Sequence, residues 1–269
     1  SESVNIETRK PVSADEVKTL LANAPGIKMM DDPAQNVYPL ATVGQDFGPY
    51  RQWFEECGIN LDYIKCIDHN YTAQAYIITD LDDNQITAFH PGAMNFAHDT
   101  RVPADKDFKI GLVSPNGREG MVNHAQQFAD AGIPFIFDPG QGLPMFSGEE
   151  LLEFIDKAQW VAVNDYESQL LKDRTGLSEE QIAEKVDALI VTMGRDGSRI
   201  LTKEGQINIP MVPPERVQDP TGCGDAYRAG IVYGLLNELD WETSGRIGSL
   251  LGSIKIGLHG TQNHHFTMD

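Results

Sequence analysis

The sequence contains little cysteine and no cysteine pattern that binds a metal. Cys57, Cys66 and Cys223 are its three cysteines, and none belongs to a Cys-x-x-Cys pair. Thiolate metal sites and disulfide frameworks both need several cysteines at suitable spacings. We therefore expect a protein with reduced cysteines and no thiolate metal site.

Long apolar runs are also missing. No stretch approaches the roughly 18 apolar residues that a membrane-spanning helix needs. The first five residues, Ser-Glu-Ser-Val-Asn, show no basic-then-apolar targeting pattern. The expectation is a cytoplasmic protein without a membrane partner.

Positive charge is scarce. The chain has 21 Lys and Arg residues against 40 Asp and Glu, which gives a formal net charge of −19. Such a surface repels nucleic acids and anionic lipids, so no nucleic-acid partner is expected. An anionic small molecule would have to be bound by local features, such as a helix N-terminus or a bound cation.

From residue 109 onward, β-rich segments alternate with helical ones. The predicted strands are 109–114, 133–138, 160–163, 188–193, 198–202 and 206–209. The predicted helices are 118–131, 148–157, one that begins after Ser178, and two near 224–238 and 243–258. This order predicts a single α/β domain over residues 1–269, with a doubly wound, mostly parallel sheet flanked by helices.

Residues 63–90 follow a different pattern. The segments 63–67, 72–79 and 85–90 are rich in β-formers, and residues 81–84 supply a turn between the last two. We interpret this stretch as antiparallel strands inserted into the α/β chain. It is either a small sheet that covers a ligand or an ordinary edge hairpin of the main sheet.

The most informative segment is Asp-Pro-Thr-Gly-Cys-Gly-Asp at 219–225, which leads directly into an apolar helical stretch. Small residues at 222–224 allow a close approach to an anion, and the N–H groups of a helix's first turn point towards it. A carboxylate there would serve as a base that takes a proton from an attacking hydroxyl group. The alternative is that Asp225 only caps the helix and the glycines only form a turn.

Two further motifs precede it, and each has a structural alternative. Asn164 and Glu167 follow a predicted strand and could help to hold Mg²⁺, but this spacing is also typical of a helix-capping pair. Thr192, Gly194 and Gly197 lie between two strands and could contact a nucleotide or simply form a hairpin turn.

The order of these motifs over residues 37–262 resembles that in the ribokinase/PfkB family of carbohydrate and nucleoside kinases. Within the family, the sequence is most similar to a bacterial adenosine kinase-like branch. Cys223 stands where that family mostly has alanine. The resemblance implies Asp225 as the catalytic base and the N–H groups of Gly222, Cys223 and Gly224 as an anion hole. It implies ATP and Mg²⁺ as cofactors, with Asn164 and Glu167 near the metal. The ATP-binding residues that it implies are Thr192, Gly194, Gly197, Thr221, Gly257 and Gly260.

The acceptor implied by the resemblance is a nucleoside or a sugar, with the 5′-hydroxyl of adenosine as the first choice. Gln74, Phe89 and Met94 are candidates for the acceptor pocket, together with Asp225, and residues 63–90 would form its lid. A monomer or homodimer is expected. The alternatives are a sugar kinase acting on ribose, fructose or a related ketose, and a nucleoside- or nucleotide-binding protein without catalysis.

The first 36 residues depart from the family pattern. They contain no Gly-Gly-x-x-x-Asn element, which in the family contacts the acceptor ring; Ser13 and Glu16 instead favour a helix to about Ala24. The expectation is that the amino-terminal substrate motifs are missing from the chain as given. Near the other end, His264 and His265 are interpreted as surface residues rather than a metal site.

Overall fold

The computed structural model describes residues 37–79, 85–103 and 106–264. The helix predicted at 13–24, the turn at 81–84 and His265 lie outside the described residues.

A six-stranded sheet organises most of the described chain. Its strands are β5 Gly111–Val113, β6 Phe135–Phe137, β7 Trp160–Asn164, β8 Ala188–Thr192, β9 Ser198–Thr202 and β10 Gly205–Ile209. Their order in the sheet is β10-β9-β8-β7-β6-β5. Neighbouring strands from β5 to β8 are parallel, whereas β9 and β10 run antiparallel to their neighbours. The predicted mostly parallel sheet is confirmed.

Seven α-helices occur among the described residues. They are α1 Gly48–Glu56, α2 Arg118–Asp130, α3 Gly148–Lys157, α4 Asp165–Thr175, α5 Glu179–Lys185, α6 Cys223–Leu236 and α7 Trp241–Ile256. Shorter 3₁₀ segments are Gly92–Asp99, Gly140–Met145 and Gly194–Asp196. Capping boxes start α3 at Ser147 and α5 at Ser178, because in each the cap side chain and the third helical residue bond each other's backbone N–H.

Both faces of the sheet are buried. Since successive strand residues point to opposite faces, Phe135 and Phe137 join the core under α2 to α5, whereas Ile136 joins the core under α6. Helices α6 and α7 pack closely: a Cβ atom added at Gly230 would lie 2.5 Å from Gly248. The predicted doubly wound arrangement is therefore observed, with helices on both sides of the sheet.

Two smaller sheets precede the main one. The strands β3 (Gln74–Thr79) and β4 (Gln85–His90) pair antiparallel, as expected for the second half of the 63–90 segment. The first part differs, because β2 (Ile64–Ile67) pairs in parallel with β1 (Ala41–Gly44). A parallel partner 23 residues earlier leaves no local turn signal, so the sequence pattern missed this pairing.

Contacts divide the chain into two compact units. Among the described residues, one unit comprises 37–39 and 48–63, and the other comprises 40–47 together with 64 onward. All residues of the site described below belong to the second unit. A search of the described helices for one long and apolar enough to span a membrane finds none.

Candidate active site

Helix α6 begins at an uncapped turn. Gly222 precedes the helix with φ 85° and ψ 2°, a left-handed conformation that glycine adopts without a Cβ penalty. No side chain caps this helix start. The Cys223 N–H donates to the carbonyl of Pro220 at 3.1 Å, whereas the N–H groups of Gly222 and Gly224 find no protein acceptor among the described residues. The start of α6 can therefore bind an anion through backbone N–H groups.

The loop before this helix is fixed by Asp219. Its carboxylate accepts hydrogen bonds from the N–H of Thr221 and the N–H of Gly260, both at 2.9 Å. The Thr221 N–H, then the Thr221 hydroxyl and the Gly260 N–H, lower the pKa of Asp219 to about 2. Asp219 thus joins the anion-binding turn to the loop that follows α7.

A fully buried lysine completes that connection. The Lys255 side chain on α7 has no solvent exposure, and its Nζ donates to the carbonyl of Asp219 at 2.7 Å and that of Leu258 at 3.3 Å. Its ammonium group also lies 4.0 Å from the Asp219 carboxylate.

Burial raises the pKa of the neighbouring Cys223 thiol, so the thiol adds no negative charge to the turn.

The predicted base occupies the first turn of α6. The Asp225 side chain is 80% exposed, and its Oδ1 lies 3.6 Å from Nη1 of Arg228. Arg228 in turn contacts Asp138, with Nε 2.6 Å from Oδ2 and Nη2 2.7 Å from Oδ1. Asp225 is therefore open to a ligand on one side and next to a guanidinium group on the other.

Asp138 follows strand β6 and is almost fully buried. Burial raises the pKa of Asp138 to about 6 against the opposing effect of Arg228, and the nearby carboxylates of Glu167 and Asp225 act in the same direction as burial. The three carboxylates therefore share one edge of the sheet, where the parallel strands end.

Asn164 and Glu167 form the capping box that starts α4. The Asn164 side chain accepts from the Glu167 N–H at 2.7 Å, and the Glu167 carboxylate accepts from the Asn164 N–H at 2.8 Å. The capping interpretation is thus observed. Within the described ranges, no three His, Cys, Asp or Glu side chains are grouped as a protein-only metal site would require. The side-chain oxygens of Asn164 and Glu167 suit Mg²⁺ if water and phosphate supply the ion's other ligands.

The segment after β8 forms a tight turn. Gly194 and Gly197 have φ values of 55° and 84°, and the Met193 N–H donates to the Gly197 carbonyl at 2.8 Å. Thr192 lies beside Asn164 in the sheet register, so two of the predicted motifs meet at the carboxyl ends of neighbouring strands. This edge is where α/β sheets commonly bind ligands.

The predicted residues near the end of the chain have structural roles. Gly257 ends α7, and its carbonyl accepts from Nε of Arg216 at 2.8 Å. Gly260 has a φ of 79°, and its N–H is the group that Asp219 binds. Thr261 lies against Gly222, because a Cβ atom added at Gly222 would be 3.2 Å from the Thr261 side chain.

The predicted acceptor residues are less closely grouped. Gln74 donates to Asp46 at 3.2 Å, and Thr72 bonds the same carboxylate through its N–H and hydroxyl groups. In the hairpin, Gln74 is paired with His90. Phe89, one residue before His90, therefore lies on the opposite face from Gln74. Met94 is half-buried in the 3₁₀ segment after β4.

Four residues of this arrangement received no role from the sequence patterns: Asp46, Asp138, Arg228 and Lys255. Two signals could have indicated a role for some of them. Asp138 stands directly after a buried strand, and Arg228 follows Asp225 by three residues, on the same helical face. The isolated Lys255, in an apolar helix, carried no such signal.

Comparisons with known proteins identify the relatives of this chain. The family model described as pfkB family carbohydrate kinase matches residues 29–267. A nucleoside kinase from Methanocaldococcus jannaschii is 34% identical over 232 residues, which span 86% of this chain and 76% of the relative.

Solved structures show the same likeness. A structure of the Burkholderia thailandensis nucleoside kinase in complex with inosine has a TM-score of 0.83 and 48% identity, and the match covers 85% of this chain and 76% of that one. A structure of the same kinase in complex with ADP-inosine has a TM-score of 0.81 at 48% identity, over 85% of this chain and 72% of that one.

Proposed function

This chain belongs to the PfkB family of carbohydrate kinases, and we propose that within it the protein is a nucleoside kinase. As a family member it is a phosphotransferase with an alcohol group as acceptor. The proposed reaction transfers the γ-phosphoryl group of ATP to the 5′-hydroxyl of adenosine, which gives AMP and ADP. The likeness to nucleoside kinases, one with inosine bound, supports a purine nucleoside.

The single observation that carries the proposal is the open start of α6 with Asp225 exposed in its first turn. We propose that backbone N–H groups of Gly222 and Gly224 hold phosphoryl oxygens there. Cys223 belongs to the same turn, but its N–H already donates to Pro220, so its part is to keep the turn small. Fixed donors of this kind stabilise charge that develops during the transfer.

Asp225 is the proposed base. When the acceptor oxygen attacks the γ-phosphorus, the bond to the ADP oxygen breaks and Asp225 accepts the hydroxyl proton. The carboxylate is exposed and sits beside the proposed anion site, so proton acceptor and phosphoryl group can meet at one place. A capping role alone does not explain it, because the structure shows no side-chain cap at this helix start.

The nucleotide would extend along the carboxyl edge of the sheet. Proposed contacts are with Thr192, Gly194, Gly197, Thr221, Gly257 and Gly260. Thr221 and Gly260 are connected by the Asp219 carboxylate, which supports a single continuous wall for the phosphates. The Thr192 strand end lies beside Asn164.

We propose that Asn164 and Glu167 help to place Mg²⁺ through its water shell. The nearness of Glu167, Asp138 and Asp225 supports this, because these carboxylates concentrate negative charge where the strands end. When bound, the ion neutralises charge on the triphosphate. The capping box and a metal role are compatible, since a carboxylate has more lone pairs than the cap uses.

The acceptor is proposed to bind near the β3–β4 hairpin, with Gln74, Phe89 and Met94 as contacts. Asp46 holds the Gln74 amide, which favours Gln74 as a positioned polar contact. Phe89 lies on the other face of the hairpin and would reach the same acceptor only around a strand edge. The hairpin's role as a lid belongs to this proposal.

The test is a measurement of ADP formation with ATP, Mg²⁺ and a panel of adenosine, inosine, other nucleosides, ribose and fructose. We expect turnover with adenosine and a product with the mass of AMP. The matched control is 5′-deoxyadenosine, which lacks the attacking hydroxyl and should give no product. Turnover with sugars alone would reject the nucleoside assignment, and no turnover with any acceptor would reject catalysis.

A further inference from the structure

Arg228 has a fixed position between the core and the site. Its side chain is 18% exposed, its Nη2 donates to Oδ1 of Asp138 at 2.7 Å, and its Nε lies 2.6 Å from Oδ2 without the geometry of a hydrogen bond. Asp138 has only 3% of its side chain exposed at the end of strand β6. This two-point contact, one hydrogen bond and one close ion contact, restricts both groups, so the Arg228 side chain has a defined direction.

The third nitrogen of the same group points at the proposed base. Nη1 lies 3.6 Å from Oδ1 of Asp225, and a Cβ atom added at Gly224 would lie 2.7 Å from Nη1. The absence of a side chain at Gly224 therefore leaves the space that Nη1 occupies. Arg228 thus touches the base and overlies a residue of the anion-binding turn.

The contrast in exposure between the two carboxylates indicates what Arg228 does. Asp138 is held in the core, whereas Asp225 is 80% exposed and otherwise free to change rotamer. We propose that Arg228 is a positioning residue: anchored on Asp138, it holds the Asp225 carboxylate in the orientation that accepts the acceptor's proton. This inference rests on the proposed function, and it adds a residue pair that acts on the base.

The competing explanation is that the Asp138–Arg228 pair only fastens α6 to β6. A double variant, Arg228→Met with Asp138→Leu, separates the two. It removes both charges together and replaces them with apolar groups, which commonly preserves stability, whereas a single substitution leaves one buried charge without a partner. If the pair is only structural, a folded double variant should keep its catalytic rate.

The measurements are kcat, the Kd for ADP and the melting temperature of the double variant. We expect kcat to fall roughly tenfold to a hundredfold, the scale of a misplaced catalytic group, with ADP affinity and melting temperature close to wild type. A folded double variant with wild-type kcat overturns the proposal. Should it not fold, Arg228→Lys takes its place, since lysine keeps the charge but not the two-point contact. An unchanged kcat in that folded variant also overturns it.

A mutant cycle checks that Arg228 acts through Asp225. Addition of Asp225→Asn to the double variant should lower kcat no further than Asp225→Asn does in the wild type. Losses that multiply independently would contradict the proposed coupling. A wild-type protein that phosphorylates no acceptor rejects the proposed function itself, whereas an active wild type with an unaffected double variant rejects only the positioning role.

Discussion

Two parts of the candidate site are held in different ways. The proposed phosphate side, residues 218–224 with 255–261, is held together by the fully buried Lys255 ammonium group and by backbone hydrogen bonds. The acceptor side, residues 44–46, 71–74 and 89–94, depends on the exposed Asp46 carboxylate and carries exposed aromatic rings such as Tyr71 and Phe89. Buried and backbone contacts favour the rigidity that charge stabilisation needs, and we expect the acceptor side, which is held by exposed side chains, to adjust more readily to its ligand.

The largest effect should come from Asp225, the proposed base, on the phosphate side. Asp225→Asn keeps the side-chain shape but removes the proton acceptor, so we expect kcat to fall about a hundredfold or more. The Kd for ADP should stay within about twofold, because the backbone N–H groups remain. Steady-state kinetics and ADP titration measure both values.

Asp130→Asn, an exposed change at the end of α2, is the matched control and should leave kcat unchanged. Equal kcat values for wild type and Asp225→Asn would show that Asp225 is not the base, and they would weaken the contrast between the two sides.

The next effect concerns the buried lysine of the phosphate side. Lys255→Met leaves the carbonyl groups of Asp219 and Leu258 without their donor, so we expect the free energy of unfolding to fall by about 1–3 kcal/mol. Urea unfolding measures this change, and ADP affinity should weaken with it because the turn loosens.

The control is Lys185→Met, which removes an exposed lysine paired with Asp156 and should cost at most about 0.5 kcal/mol. If both lysine variants lose the same stability, the phosphate side is not held by Lys255 in the way that the geometry suggests.

A smaller, selective effect is expected on the acceptor side. Gln74→Leu removes an amide group that Asp46 holds, so KM for the nucleoside should rise about tenfold, the loss of roughly one hydrogen bond. KM for ATP should not change. Gln206→Leu, at an exposed position of β10, serves as the control. A rise in both KM values would show that the two sides are not independent.

The smallest effect should be on the metal. Glu167→Gln preserves a capping box, which accepts either residue, but removes the negative charge. The Mg²⁺ concentration needed for half-maximal activity should therefore rise severalfold. Glu153→Gln, an exposed change on α3, is the control. An unaltered Mg²⁺ requirement would leave Glu167 with its capping role alone.

Much of the fold followed from local patterns. Helices α3 and α5 begin where the sequence predicts, after Ser147 and Ser178, because each start is marked by a capping pair only three residues apart. The six main strands lie within two residues of the predicted segments. The site was predictable where it is contiguous, as in residues 219–225. The parallel pairing of β1 and β2 was not, because it depends on a partner outside the local pattern.

The amino-acid sequence by itself determined the family, the order of the six main-sheet strands, and the turn that presents Asp225. Only the tertiary structure decided what surrounds that turn. Arg228 meets Asp138 across 90 residues of chain, and Lys255 meets the Asp219 carbonyl across 36. Helix and turn preferences act over a few residues, whereas such contacts depend on which strand ends and helix ends the topology brings to one edge of the sheet.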